Sequence, residues 1–166
     1  MNVVDLSPDM MHTAEHEAKC VSAAWGKNTT DYNEARDVLG SLGEQAFNVY
    51  LTHLGLSEGL DYVYDHTLDG SGDCYDFRFH SGETLDVKTS SRGYDLLVKV
   101  ESVKNRPCDF YVLANFWANT PPRVQLTGFA TKAQVLRRKP KMLKALDYVV
   151  KERYLRGVEF FRRYKK

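Results

Sequence analysis

With 166 residues, 43% of them hydrophobic and 12% aromatic, the chain has the length and composition of one folded globular domain, not of a disordered segment. No stretch approaches the ~18 unbroken apolar residues of a membrane span, and residues 1–11 lack both the basic start and the apolar run of a secretory signal. Cys20, Cys74 and Cys108 are odd in number and far apart, which argues against a disulfide framework or zinc ribbon and for a reducing, cytoplasmic setting.

The net charge of +1 conceals an asymmetry: residues 1–86 hold four Lys/Arg against sixteen Asp/Glu, and residues 87–166 hold nineteen against six. Such a division can set a basic surface beside an acidic pocket, an arrangement suited to a polyanion cut with the help of metal ions. Equally, the two halves can fold together so that their fields cancel.

In chain order, residues 8–25 read as a helix, with Ala14, Ala18, Val21 and Trp25 at helical spacing. A second helical region begins near Thr30 or Asp31, either of which can cap it, and runs to Leu54. Gly40 and Gly43 are placed to divide it. Ala46, Phe47, Tyr50, Leu51 and Leu54 form its apolar stripe, and Gly55 ends it. The period then changes, and residues 62–66, 74–80, 84–89, 96–101, 109–116 and 123–129 read as strands, a meander followed by a further strand. The run DFYVLANF is almost continuously apolar, as in a central strand covered on both faces. Residues 131–138 suggest a short helix capped by Thr131 or Thr127 and interrupted by Pro140. Residues 147–164 fit either an amphipathic or a partly extended segment. The expected class is α+β or α/β, a mixed central sheet flanked by helices. One domain spans residues 1–166: N-terminal helices in 1–55, a sheet core with the site in 60–130, and a basic C-terminal segment in 131–166.

Residues 72–90, GDCYDFRFHSGETLDVKTS, carry the chemistry. Ser81-Gly82 is a turn signal between two alternating segments. Alternation puts Tyr75, Phe77 and Phe79 on one face and Asp76, Arg78 and His80 on the other; likewise Leu85 and Val87 oppose Asp86 and Lys88. A hairpin centred on residue 81 sets Asp76 across from Asp86, where Cβ atoms are about 4.5–5.5 Å apart. Facing carboxylates repel, and a divalent cation removes that penalty. Lys88 reaches the same pocket, where an ammonium can orient or help deprotonate a water and offset charge on a phosphate. An isolated D-x-K is more often a solvated charge pattern; here the register and an upstream helix favour a site.

The ordered set of Glu44 in LGEQAFNVYL, Asp76 in CYDFRF, and Asp86 and Lys88 in TLDVKTS resembles the PD-(D/E)XK, or restriction-endonuclease-like, nuclease superfamily. The strand DFYVLANFW and the segment VQLTGFATKAQVL look like its later strands and helix, so the resemblance covers roughly residues 42–138. It implies a restriction-endonuclease-like core and Mg²⁺- or Mn²⁺-dependent hydrolysis of phosphodiester bonds. Asp76, Asp86, the Val87 carbonyl and Glu44 would hold one or two ions, and Lys88 would serve the nucleophilic water. Tyr75 stands where many members have proline, and no clear Q-x-x-x-Y element follows, which speaks against an exonuclease of the RecB type. Glu44 also fits from its own spacing, at the margin of the stripe carrying Phe47 and Leu51. Asp73 is the rival for the first carboxylate but has the wrong parity without a bulge.

Weaker candidates surround this set. Thr89 and Ser90 can bond a phosphate or cap the strand; Arg78 and His80 can meet phosphate or solvent. His12 and His16 have the i,i+4 spacing of a metal pair without a further signature ligand. Arg137, Arg138, Lys139, Lys141 and Lys144 form a basic run suited to a DNA backbone or to solvent. The tail from Tyr154 onward can pack on the core, pair with a second subunit or touch DNA. The expectation is a deoxyribonuclease, an endonuclease of phage or mobile-element type acting in the host-cell cytoplasm. DNA is its partner, a homodimer is open, and neither a membrane nor a small-molecule cofactor is involved. A non-catalytic nucleic-acid-binding protein and a structure-selective junction resolvase are the rival readings.

Overall fold

The structure, a computed structural model, describes residues 2–25, 34–65, 75–91, 93, 95–105, 107–143 and 145–166, with backbone alone for 21–25 and for 34. After a short strand β1 (Val3–Asp5), two long helices follow, α1 (Pro8–Trp25) and α2 (Glu34–His53). Ala14 and Ala18 of α1 are buried, as their spacing predicts; Val21, Trp25, Thr30 and Asp31 lie outside the described side chains. The helix α2 is continuous through Gly40 and Gly43, so these glycines do not divide it. Its stripe is buried throughout, and Gly55 stops it at φ +82°. There the Gly55 N–H bonds the Thr52 carbonyl and the Leu56 N–H bonds that of Leu51, which satisfies carbonyls the helix leaves open.

The strands that follow are β2 (Tyr62–Tyr64), β3 (Phe77–Phe79), β4 (Thr84–Ser90), β5 (Leu96–Lys99), β6 (Phe110–Trp117) and β7 (Arg123–Thr131). A short helix α3 (Val100–Asn105) lies between β5 and β6, so the strand expected over residues 96–101 gives way to helix at Val100. A helix α4 (Lys132–Leu136), strands β8 (Lys141–Met142) and β9 (Leu146–Val150), and 3₁₀ turns at Glu152–Tyr154 and Val158–Tyr164 complete the chain. Thr131 caps α4: its hydroxyl accepts from the Gln134 N–H while Gln134 reaches back to the Thr131 N–H, a reciprocal cap worth about 1 kcal/mol.

The molecule is mixed α+β. Its main sheet runs β1-β7-β6-β4-β3-β2, with β4 and β6 parallel and all other neighbours antiparallel. The connection from β4 to β6 passes through β5 and α3, so the run of strands is not a simple meander. A second, antiparallel sheet has the order β5-β9-β8. Two apolar cores lie on the two faces of β6. Phe110, Val112 and Ala114 belong to the first, with α2, Phe77, Phe79, Leu85 and Val87. Tyr111 and Leu113 belong to the second, with Leu96, Val98, Val103, Val135 and Val150. Burial on both faces explains why β6 reads as a continuous apolar run.

Residues 158–164 take up the first of the roles open to the tail, packing on the core. Phe161 is fully buried, edge-on to Phe47 and stacked on Phe79, and Tyr164 stacks on Phe79 at 4.1 Å between centroids. The tail therefore closes the first core beside α2.

Candidate active site

The hairpin forms with the expected register. Phe77 pairs with Leu85 and Arg78 with Thr84, around a turn in which Gly82 takes φ +99°. Continued by one residue, this register sets Asp76 opposite Asp86. The ladder changes there, because the Asp76 N–H donates to the Leu85 carbonyl at 2.9 Å and the Val87 N–H turns to Asp76 Oδ2 at 2.6 Å. A side chain thus supplies the acceptor that the next β3 carbonyl would give in a regular ladder. The departure also moves Tyr75. Expected to face inward with Phe77 and Phe79, it packs instead against the second core.

Along β4, Leu85 and Val87 enter the first core. Asp86 and Lys88 register with Tyr111 and Leu113 of the parallel β6, and neighbouring residues in register share a face, so both point to the side of the second core. Lys88 Nζ lies 2.7 Å from Asp86 Oδ1, with 37% of the lysine side chain and 14% of the aspartate side chain exposed.

The approach of α2 to β4 positions Glu44. A Cβ on Gly43 would lie 1.9 Å from Thr89 Oγ1 and 3.1 Å from Thr89 Cβ, so only glycine lets the helix lie this close. Glu44 follows directly, half-buried, with Oε1 4.0 Å from where a Cβ on Gly40 would stand. The Tyr64 hydroxyl donates to Glu44 Oε2 at 3.4 Å.

Electrostatics ties the four groups together. The Asp76 carboxyl is held well above the usual carboxylate range, first by burial, then by the negative fields of Glu44 and Asp86; Lys88 and the Val87 N–H oppose the shift. Burial works against the Lys88 ammonium, yet Asp86, Asp76 and Glu44 together outweigh it and hold the amine above the ordinary lysine range. The Tyr64 hydroxyl is raised by burial, then by Glu44, Glu17 and Asp76. Cys108, buried on the second-core side, is pushed up to about 12 by burial and then by Asp86 and Asp76.

Three oxygen-donor carboxylates that feel one another's charge have the donor chemistry of a hard divalent cation, which would relieve the repulsion now borne by protonation and by Lys88, but α2 packs on the first core while Asp86 points to the side of the second. The groups are not gathered into a ready cage: among the described residues, no three His, Cys, Asp or Glu side chains stand close enough together to clasp an ion. To serve as ligands, Asp86 must share its bond with Lys88, and Asp76 its bond with Val87.

The other candidates scatter. Arg78 is exposed, its guanidinium 5.7 Å from the Tyr75 ring centroid. His80 belongs to another neighbourhood, where its N–H bonds the Asp61 carbonyl. Thr89 Oγ1 is buried against α2 with no hydrogen-bond partner among the described residues, so it faces packing, not a phosphate arriving from solvent. Ser90 is half-buried at the end of β4. Arg137 and Lys139 are exposed beyond α4, and Arg138 lies over the Tyr154 ring. His12 and His16 are exposed, His16 lying beside Cys20. Asp73 and Lys144 fall outside the described residues. Sequence spacing did not assign Tyr64, Glu17 or Gly43 to the site. The inward parity of Tyr64 beside Tyr62, and the place of Glu17 next to Ala14 and Ala18, were the available signals.

Comparison with known families, with curated protein sequences and with solved structures finds no match to this chain. Among the described residues, no helix is long and apolar enough to cross a membrane.

Proposed function

We propose that this chain is a metal-dependent deoxyribonuclease on a restriction-endonuclease-like core, cutting internal phosphodiester bonds of DNA. The observation that carries the reading is the hairpin register that sets Asp76, bonded by the Val87 N–H, opposite Asp86 with Lys88 2.7 Å from Asp86, a geometry in which Glu44 and Asp86 raise the Asp76 carboxyl. Binding alone gains nothing from carboxylates beside phosphate, and packing alone does not reward so concentrated a charge. The order α2, β2–β3–β4, crossover through α3 and parallel β6 is compatible with the helix-flanked mixed sheet that the motif resemblance implies.

In this reading Asp76, Asp86, Glu44 and the Val87 carbonyl hold one or two Mg²⁺ or Mn²⁺ ions. A bound ion would supply Lewis-acid polarisation of the phosphate and an acidified water. Asp76 is fixed by the Val87 N–H and Glu44 by the Tyr64 hydroxyl, so both approach the scissile group pre-oriented. Lys88, held as an ammonium by Asp86, donates to the phosphate or to the water and offsets the charge that builds on the phosphoryl oxygens. The positive second half of the chain supplies backbone contacts.

Supercoiled circular plasmid with Mg²⁺, Mn²⁺ or EDTA tests this. Nicked and linear products with either metal, absent with EDTA and absent in Asp86→Ala and Lys88→Ala, are expected. Equal cutting by both variants and the natural chain sinks the site assignment. Metal-independent DNA binding without cutting replaces the enzyme with a non-catalytic binding protein on the same fold.

A further inference from the structure

The β8–β9 hairpin shows solvent an apolar pair beside an exposed Lys141. Met142 and Leu146 oppose one another across it and are 74% and 43% exposed, and Leu143 at the turn is 52% exposed. Apolar groups gathered at one protrusion mark a surface that something covers. Lys141 lies within the hairpin and Arg137 and Lys139 shortly precede it in the chain, all exposed, while Arg138 and Arg153 lie 4.7 and 5.0 Å from the Tyr154 ring centroid. Between Asp109 and Asp147 the sequence contains no acidic residue. Asp147, in register with Lys141, is buried; Glu101 and Glu152 are exposed on the neighbouring α3 and 3₁₀ turn.

This charge selects the occupant. A second copy docked through the same hairpin would oppose Lys and Arg to Lys and Arg, whereas a nucleic acid brings phosphates to them. In intact duplex DNA an apolar wedge reaches base faces only by unstacking a step at a cost of a few kcal/mol, and where stacking is already broken that cost is absent. The hairpin belongs to the sheet that covers the face bearing Asp86 and Lys88.

We propose that the β8–β9 hairpin is a wedge for branched, bulged or kinked DNA. Met142, Leu143 and Leu146 lie against unstacked bases, and Arg137, Lys139 and Lys141 hold the adjoining phosphates. The choice of DNA rests on the nuclease reading; the preference for distorted DNA goes beyond it.

The test uses the full chain in EDTA, with a fluorescent four-way junction and a linear duplex of the same sequence at one salt concentration, and 2-aminopurine at the branch. Preference for the junction by about tenfold, with a rise in 2-aminopurine emission, is expected. In Met142→Ser/Leu143→Ser/Leu146→Ser, all solvent-facing, preference and emission rise both vanish while duplex affinity stays within about twofold. Lys139→Glu/Lys141→Glu weakens both substrates together and flattens the salt dependence. A triple variant that keeps the preference overturns the wedge. So does a natural chain without preference, a dimer that the triple variant splits in light scattering, or binding to anionic vesicles that the triple variant abolishes. Junction preference without cutting sinks the nuclease and spares the wedge; cutting without junction preference does the reverse.

Discussion

The Val87 N–H, in the middle of β4, donates to Asp76 Oδ2 at 2.6 Å instead of to a neighbouring strand. The bond holds a carboxyl where burial, Glu44 and Asp86 all disfavour its charge. Asp76→Asn keeps an acceptor for Val87 and removes the charge. Because the folded chain holds the Asp76 proton more tightly than the unfolded one, stability is largest below the unfolded value of about 3.9 and is lost as pH rises through the raised folded value. Asp76→Asn lacks that loss. It should be more stable than the natural chain at neutral pH by roughly 1 kcal/mol and equal to it near pH 3, while cutting nothing. Thermal melts across pH without divalent metal check this, and a less stable variant at pH 7 contradicts the buried-charge account.

Lys88 stands in the opposite relation to the same carboxylates. Lys88→Met keeps the side-chain volume and removes the ammonium 2.7 Å from Asp86. The loss should be about 1–2 kcal/mol, below the ~3–5 kcal/mol of a fully buried pair, since 37% of the lysine side chain meets water. A raised amine stays charged below its unfolded value near 10.4, so the deficit should not diminish between pH 5 and 9, should grow as Asp76 ionises, and should shrink only in strong alkali. Cutting should fall at least about 100-fold in kcat. A deficit that disappears between pH 6 and 8 would show the amine titrating there and remove its role as a fixed cation.

Gly43 and Thr89 make a testable pair. Gly43→Ala drives a methyl into Thr89 Oγ1, which is itself buried with no partner among the described residues. Forcing α2 away from β4 should cost about 1–3 kcal/mol and carry Glu44 with it, so stability and cutting fall together. Thr89→Ala removes the clashing oxygen and leaves Cβ at 3.1 Å, a contact that a small shift relieves. The double variant should recover most of both losses, and a double-mutant cycle reads the coupling. Additive losses would mean that the glycine has another role.

How much of this was legible depends on whether a signal was local. The Asp76–Asp86 register followed from the alternation and from Ser81-Gly82, and Gly55 and the Thr131 cap were readable because turn and cap chemistry acts over a few residues. The central place of β6 showed in its unbroken apolar run. The roles of Gly43 and Tyr64 were not legible, because each depends on an element distant in sequence. Gly43 looks like a helix breaker until Thr89 is known to lie beneath it, and Tyr64 reads as ordinary strand until Glu44 is found at its hydroxyl. The parity of Tyr75 failed at the point where Asp76 substitutes a side chain for the backbone. The tail defeated pattern reading because it is neither α-helix nor strand over most of its length, but short 3₁₀ turns held by aromatic contacts.

Those contacts give the last prediction. Phe161 is fully buried and touches rings from four separate elements: Phe47 of α2, Phe79 of β3, Phe110 of β6 and Phe129 of β7. A tail merely resting on the surface would tolerate its truncation, whereas a tail that completes the core would not. Phe161→Ala should cost about 3–5 kcal/mol, a fall of roughly 6–20 °C in Tm for a domain of this size. Arg163→Ala removes a guanidinium lying over Phe160 but leaves the buried rings in place, so its effect should stay within about 0.5 kcal/mol. Because Phe47 and Glu44 ride on the same helix, the Phe161 cavity should also loosen α2. Cutting by the variant should then weaken below its own Tm, in step with hydrogen exchange at α2 amides. A Phe161→Ala chain that melts with the natural protein would place the 3₁₀ turn outside the core.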